Sequence, residues 1–218
     1  MSTLYMECHR ALQDRYDTRR LADRVEQVYL HDTFIENERA FIEARDMFFL
    51  ATVDPEGRPT VSYKGGAPGF VRIKDNVLTF PVYDGNGMFI SIGNLALSPK
   101  VGLLFIDFER QARLRVQGEA AIDEGPAKSA WPGAFFVVHV RPTHIFSNCA
   151  RYVHRYVKLE QARHVPDARG QQPLVGWKLL PYFWASLPER DRAALKAAGA
   201  SAIVKLMMRR LRRLASGD

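Results

Sequence analysis

Two hydrophobic periods divide the chain. Up to about residue 44 apolar positions recur at roughly helical spacing, as in Leu12, Tyr16, Leu21, Val25, Val28 and Tyr29, set among alternating charges. Residues 4–44 are therefore read as helical, with Thr33-Phe34-Ile35-Glu36 offering a capping-box start for a helix that runs to residue 44. At Met47 the period changes. The run Phe48-Phe49-Leu50-Ala51-Thr52-Val53, the turn Asp54-Pro55-Glu56-Gly57 and the run Pro59-Thr60-Val61-Ser62-Tyr63 predict a hairpin. Further strands are predicted at 70–73, 77–81, 101–107, 114–122 and 135–140, with Asp75-Asn76 as the turn between the first two. A helix at about 87–97 interrupts them and ends at Ser98-Pro99, because proline cannot continue it. Six or seven short strands with one inserted helix predict a mainly β fold, a small closed or partly closed barrel with flanking helices.

Beyond residue 140 the pattern turns helical again, at about 148–161, and then passes through a proline-containing linker, 165–173. An aromatic stretch at 177–184 follows, and Leu187-Pro188-Glu189-Arg190-Asp191 opens a last helical region. There Ile203, Met207, Leu211 and Leu214 form one stripe and Arg209, Arg210, Arg212 and Arg213 lie largely opposite it. Three parts result: a helical arm at 1–44, a barrel domain at 45–160, and a C-terminal extension at 161–218 that packs on the barrel or on a partner subunit.

Charge changes this picture little. The net charge is +7, but residues 205–218 supply +4 of it, so no body-wide basic groove for nucleic acid is implied. A membrane-surface role would rest on that tail alone. Cys8 and Cys149 are too few for a disulfide framework and lack metal-ligand spacing. No signal-peptide pattern or membrane-length apolar run occurs, and a soluble, cytoplasmic protein is expected, with no membrane or nucleic-acid partner.

The candidate chemistry lies in glycine-rich segments. Gly65, Gly66, Gly69, Gly85, Gly87 and Gly93 place six of 15 glycines within a short stretch. Asp84-Gly85-Asn86-Gly87 leads into the inserted helix, whose first N–H groups have no partner within it and attract anions. Ser62-Tyr63-Lys64-Gly65-Gly66 brings a hydroxyl and an ammonium into a loop, and Ser91 adds a second hydroxyl; together they can hold a phosphate. Arg113 and Arg115 share one face of their strand and can meet a phosphate or an electron-rich ring. No metal-ligand spacing, Walker loop, nucleophile elbow or complete dinucleotide fingerprint is present, and no base is identifiably placed to activate Cys149.

In order and spacing, a series of segments resembles the pyridoxamine 5′-phosphate oxidase-like flavoproteins. The first are Phe48–Val53, Gly57-Arg58-Pro59, Ser62-Tyr63-Lys64-Gly65-Gly66, Pro68-Gly69-Phe70-Val71, Phe80-Pro81 and Asp84-Gly85-Asn86-Gly87. Then come Ser91, Gly93-Asn94, Pro99, Val101–Asp107, Arg113-Leu114-Arg115-Val116-Gln117-Gly118 and Asn148-Cys149-Ala150-Arg151-Tyr152. The resemblance implies an antiparallel split β-barrel that forms a homodimer with FMN at the subunit interface. It implies cofactor contacts from Ser62, Tyr63, Lys64 and Gly65, from Phe80 and Pro81, from Asn86, Gly87 and Ser91, and from Arg113, with Arg115 beside it. The true oxidases carry an Arg on the second strand, a Ser-Arg-Lys run near the helix start and a C-terminal Arg-x-His motif. Here Ser62 and the Phe89-Ile90-Ser91 region stand in the first two places, and the third has no recognisable counterpart. The function implied is an FMN-dependent oxidoreductase working through flavin N5 on a substrate that the sequence does not identify, the three departures speaking against pyridoxamine phosphate oxidation itself. The alternative is a non-catalytic protein that binds FMN or haem on the same barrel, with His154 the foremost haem candidate.

Overall fold

Alternation places every second side chain of Met47–Val53 (β1) inward, so Phe48, Leu50 and Thr52 are buried while their neighbours are only partly covered. β1 pairs with Pro59–Gly65 (β2) across a turn that Asp54 organises. The Asp54 carboxylate accepts N–H bonds from Glu56 and Arg58 at 3.0 and 2.8 Å, and Gly57 supplies the φ of +82° that the turn requires. The remaining strands are Arg72–Lys74 (β3), Val77–Val82 (β4), Lys100–Asp107 (β5), Ala112–Asp123 (β6) and Phe136–Ser147 (β7). All pairings are antiparallel, in the order β2-β1-β5-β6-β7-β4-β3, and the sheet is not closed between its edge strands β2 and β3. This is a split barrel.

The computed structural model describes residues 2–199, which fall into two compact units divided after Gln171. In the first unit the core gathers around Phe48, whose ring lies 5.0 Å from those of Phe80 and Phe105 and 6.0 Å from that of Phe70. A bulge at Gln117/Gly118 bends β6 against β7. A Cβ at Gly118 would sit 2.4 Å from the carbonyl oxygen of Arg141, so the strands approach this closely only because residue 118 is glycine.

The N-terminal part is helical but broken into three: Glu7–Arg15 (α1), Arg19–Tyr29 (α2) and Glu36–Glu43 (α3). Asp17 at φ +52° turns the chain between the first two, and neither buries a residue fully. His31 joins the arm to the sheet through reciprocal backbone bonds with Ile145. The expected capping box at Thr33 is displaced. Ile35 is the N-cap and the Glu38 carboxylate accepts its N–H, while the N–H of buried Phe34, just before it, is bonded to the Asn76 side chain.

The inserted helix is Ile90–Leu97 (α4), starting three residues later than expected. Phe89, in the left-handed region at φ +49°, forms its N-cap. Two polar bonds pin it to the hairpin, from Ser91 Oγ to Ser62 Oγ at 3.0 Å and from Asn94 Nδ2 to Thr52 Oγ1 at 3.1 Å.

The helix expected at 148–161 is absent. β7 runs on to Ser147, and residues 148–161 form an irregular segment tied to the β5–β6 turn. The second unit contains two 3-10 turns, Gly176–Leu179 and Pro181–Ser186, and the helix Glu189–Ala197 (α5), with Leu187 and Leu195 as its small core. The predicted stripe of Ile203, Met207, Leu211 and Leu214 lies outside the described residues. No described helix is long and apolar enough to cross a membrane.

Candidate functional site

Residues directly opposite one another on paired strands share a face. One such row runs Ser62–Leu50–Leu103–Val116 and faces the core, as does the pair Lys64–Phe48. The adjacent row, Tyr63–Phe49–Leu104–Arg115, faces outward, and Arg113 joins it opposite Ile106. The predicted site residues are thus divided between two faces of one sheet. Within a single chain Ser62, Lys64 and Ser91 do not converge with Arg113 and Arg115.

At the end of β2 a cleft of about 1020 Å³ opens. Tyr63, Lys64 and Gly65 line it, together with Pro81, Val82 and Tyr83 from the end of β4 and Gly85 from the loop beyond. Arg45 and Asp107 form an ion pair at 2.5 Å on its wall. Burial by itself would raise the Asp107 pKa, but the N–H groups of Arg110 and Glu109 and the Arg45 guanidinium outweigh it and hold the carboxyl below its usual value of 3.8. Lys158 and Asp46 pair at 2.6 Å on the same wall. Burial pushes the Tyr63 phenol up, and the Asp46 carboxylate adds to the shift.

Lys64 differs from these cations. Its ammonium has no carboxylate or hydrogen-bond partner among the described residues, and burial lowers its pKa from the usual 10.5. A half-buried cation without a counter-ion, on the wall of a cleft with room for a cofactor, suits an anionic group.

Of the expected cofactor residues, Tyr63, Lys64, Gly65 and Pro81 line the cleft. The Phe80 side chain is fully buried against Phe48, leaving only its backbone available. Ser62 and Ser91 bond to each other beneath the hairpin. Asn86 accepts the N–H of Met88 and belongs, with Gly87 at φ +77°, to the loop before α4 and not to the cleft wall. Arg113 donates to the carbonyl of Cys149 at 2.7 Å, and its Nε is buried without a partner; Arg115 lies over the Phe146 ring.

The glycines also separate by role. A Cβ at Gly65 would meet the Tyr63 ring at 2.7 Å and one at Gly66 the Phe70 ring at 2.4 Å, so these two allow aromatic rings to lie on the backbone. At Gly85, Gly87 and Gly93 a Cβ would meet nothing within 4 Å, so the backbone there borders open space.

Sequence reasoning missed Arg45, Asp46, Asp107, Lys158 and His164, which also line the cleft. The one available signal was Asp107, a carboxylate ending an otherwise apolar strand. Among the described residues no group of three or more His, Cys, Asp or Glu side chains is arranged to hold a metal ion.

A family model described as pyridoxamine 5′-phosphate oxidase matches residues 34–149, just over half of the chain. No curated protein matches. Among solved structures, HupZ from Group A Streptococcus is 21% identical, over 52% of this chain and 94% of that one, with a TM-score of 0.42. HutZ, the haem storage protein from Vibrio cholerae, is 17% identical over 53% and 95%, with a TM-score of 0.40. An FMN-binding protein from Syntrophomonas wolfei is 12% identical over 63% and 97%, with a TM-score of 0.41.

Proposed function

The chain belongs to the pyridoxamine 5′-phosphate oxidase-like family, and from that premise we propose that it is an FMN-dependent oxidoreductase whose cofactor phosphate is held by Lys64. The observation that carries this reading is the half-buried Lys64 ammonium, left without a counter-ion on the wall of the cleft. Removing such a charge from water is costly unless an anion meets it, and a phosphate monoester brings up to two negative charges. The open backbone at Gly85, which lines the cleft, lets its N–H approach the same ligand. When bound, the flavin supplies hydride transfer at N5. The chain's part is to bind and orient the cofactor and to place a positive side chain where negative charge develops, a role for which Arg113 has an unpartnered Nε–H.

We infer further that two copies of the chain pair and that the site is completed across the interface. The division of site residues between the two sheet faces supports this, because the outward Arg113 and Arg115 of one copy can then serve the cleft of the other. So does the outward apolar row on β2, β1 and β5, where Val61 is 65% and Tyr63 62% exposed in the single chain.

Titrating FMN with the purified chain tests the proposal. Quenching or a spectral shift of the flavin is expected, with the dissociation constant about tenfold or more weaker in Lys64→Met. An unaltered flavin spectrum would overturn the reading. A Soret band in the purified protein, with no flavin uptake, would favour haem. Bound flavin that no reductant reaches would leave a binding protein in place of an enzyme.

A further inference from the structure

The second unit buries few of its apolar side chains. Leu187 and Leu195 form its core, with Leu179 and Trp184 packed against them. Another set stays outside. Trp177, Tyr182 and Phe183, carried on the two 3-10 turns, are 36%, 68% and 38% exposed, and Leu174 just before them is 43% exposed. The three rings pack on one another in the open: Phe183 lies edge-on to Trp177 at 5.3 Å and 4.6 Å from Tyr182. Single exposed apolar side chains are ordinary, but a contiguous aromatic cluster marks a surface that meets something apolar.

Charge narrows what that partner is. Residues 172–188 contain no Asp or Glu. From Gln172 to the end of the chain there are nine Lys or Arg and three Asp or Glu, so +6 of the net charge of +7 belongs to this unit. The partner is therefore both anionic and apolar. A nucleic acid would answer the charge, but its bases are met by aromatic rings set among the cations of a groove. Here rings and cations are separated in sequence, the rings at 177–183 beside Leu174 and the densest cations at 205–213. An anionic bilayer offers both surfaces in one place: Trp and Tyr suit the headgroup level, and Lys and Arg suit the negative potential above it.

We propose that the second unit docks on the surface of an anionic lipid bilayer, Trp177, Tyr182 and Phe183 entering the headgroup–acyl boundary while the basic C-terminal sequence draws the chain to the headgroups. A membrane role thus rests on more than the tail. Short turns carry the rings, so the attachment is to the surface and not across it. Neither signal is strong alone, and attachment needs both.

Vesicle flotation of the full chain tests this. Vesicles of phosphatidylcholine and phosphatidylserine, roughly 7:3, should carry the chain upward in about 0.1 M salt, and phosphatidylcholine alone should not. On the anionic vesicles tryptophan emission should shift to the blue. Trp177→Phe keeps an apolar ring and should float as before while losing most of that shift. Tyr182→Ser with Phe183→Ser should weaken binding about tenfold or more, with an unchanged circular dichroism spectrum. A chain that does not float with anionic vesicles, floats equally with phosphatidylcholine alone, or floats undiminished without the two rings overturns the proposal. So does poly(U) RNA bound more tightly than the anionic vesicles in the same salt. Should the double serine variant fail to fold, Trp177→Phe still decides, because a blue shift that persists in full would show that the aromatic cluster does not enter the bilayer.

Discussion

Lys64 carries a charge that no described residue neutralises, and this has a cost that can be measured without any ligand. Burial depresses its pKa below 10.5, so the unfolded chain holds that proton more firmly than the folded one. With the unfolded state binding more protons, stability rises with pH across the interval between the folded value and 10.5. Below the folded value the full penalty is present; above 10.5 both states are neutral and it is gone. Replacing Lys64 with Met removes the penalty. In the absence of ligand the variant should therefore melt above wild type near pH 7, with the gap narrowing as the pH approaches 10.5, while FMN binding is weakened. A gap that does not change with pH, or a variant less stable at every pH, would show that the ammonium is well solvated.

At the scale of elements, two glycines make opposite predictions. In Gly118→Ala the new methyl meets the Arg141 carbonyl oxygen at 2.4 Å, and a backbone oxygen in a β-ladder has no room to yield. The bulge must distort, and a loss of about 2 kcal/mol or more is expected in chemical denaturation. Gly93 lies inside α4 with open space where its Cβ would be, so Gly93→Ala should stabilise the unliganded chain by about 0.5–1 kcal/mol. If it does so while weakening FMN uptake, the open space beside α4 belongs to the ligand. The same elements show what the sequence makes legible. Period-two burial in β1 and β6 is a local property, so Phe48, Leu50, Leu114 and Val116 announce their strands and their face. The start of α4 is less local: Ser91 and Asn94 are held by Ser62 and Thr52 on the hairpin, contacts that no spacing rule contains. Residues 148–161 were misread for the same reason, since their path is set by Phe108, Glu109 and Gln111, far away in sequence. Lys64 was readable as an anion partner because it follows a strand and precedes two glycines. The Lys158–Asp46 pair on the cleft wall was not, because these residues meet only after the chain has folded.

On the scale of the whole molecule, the outward sheet face decides whether one chain is enough. In a lone protomer Val61 is 65% exposed on edge strand β2, so Val61→Lys should change its stability by no more than about 0.5 kcal/mol. If two copies pair through that face, the same lysine is carried into an apolar interface, where an unpaired charge is strongly disfavoured. Sedimentation should then find wild type at twice 24.8 kDa and Val61→Lys at 24.8 kDa, with an unchanged circular dichroism spectrum. FMN affinity should fall along with the mass if, as proposed, the Arg113 and Arg115 that serve each cleft come from the other copy, these residues lying on the opposite sheet face from Lys64. Lys64→Met, in contrast, should lose the cofactor and keep the dimer. A wild-type chain that sediments as a monomer with FMN bound would mean that one protomer completes the site, and Arg113 and Arg115 would then have no part in it.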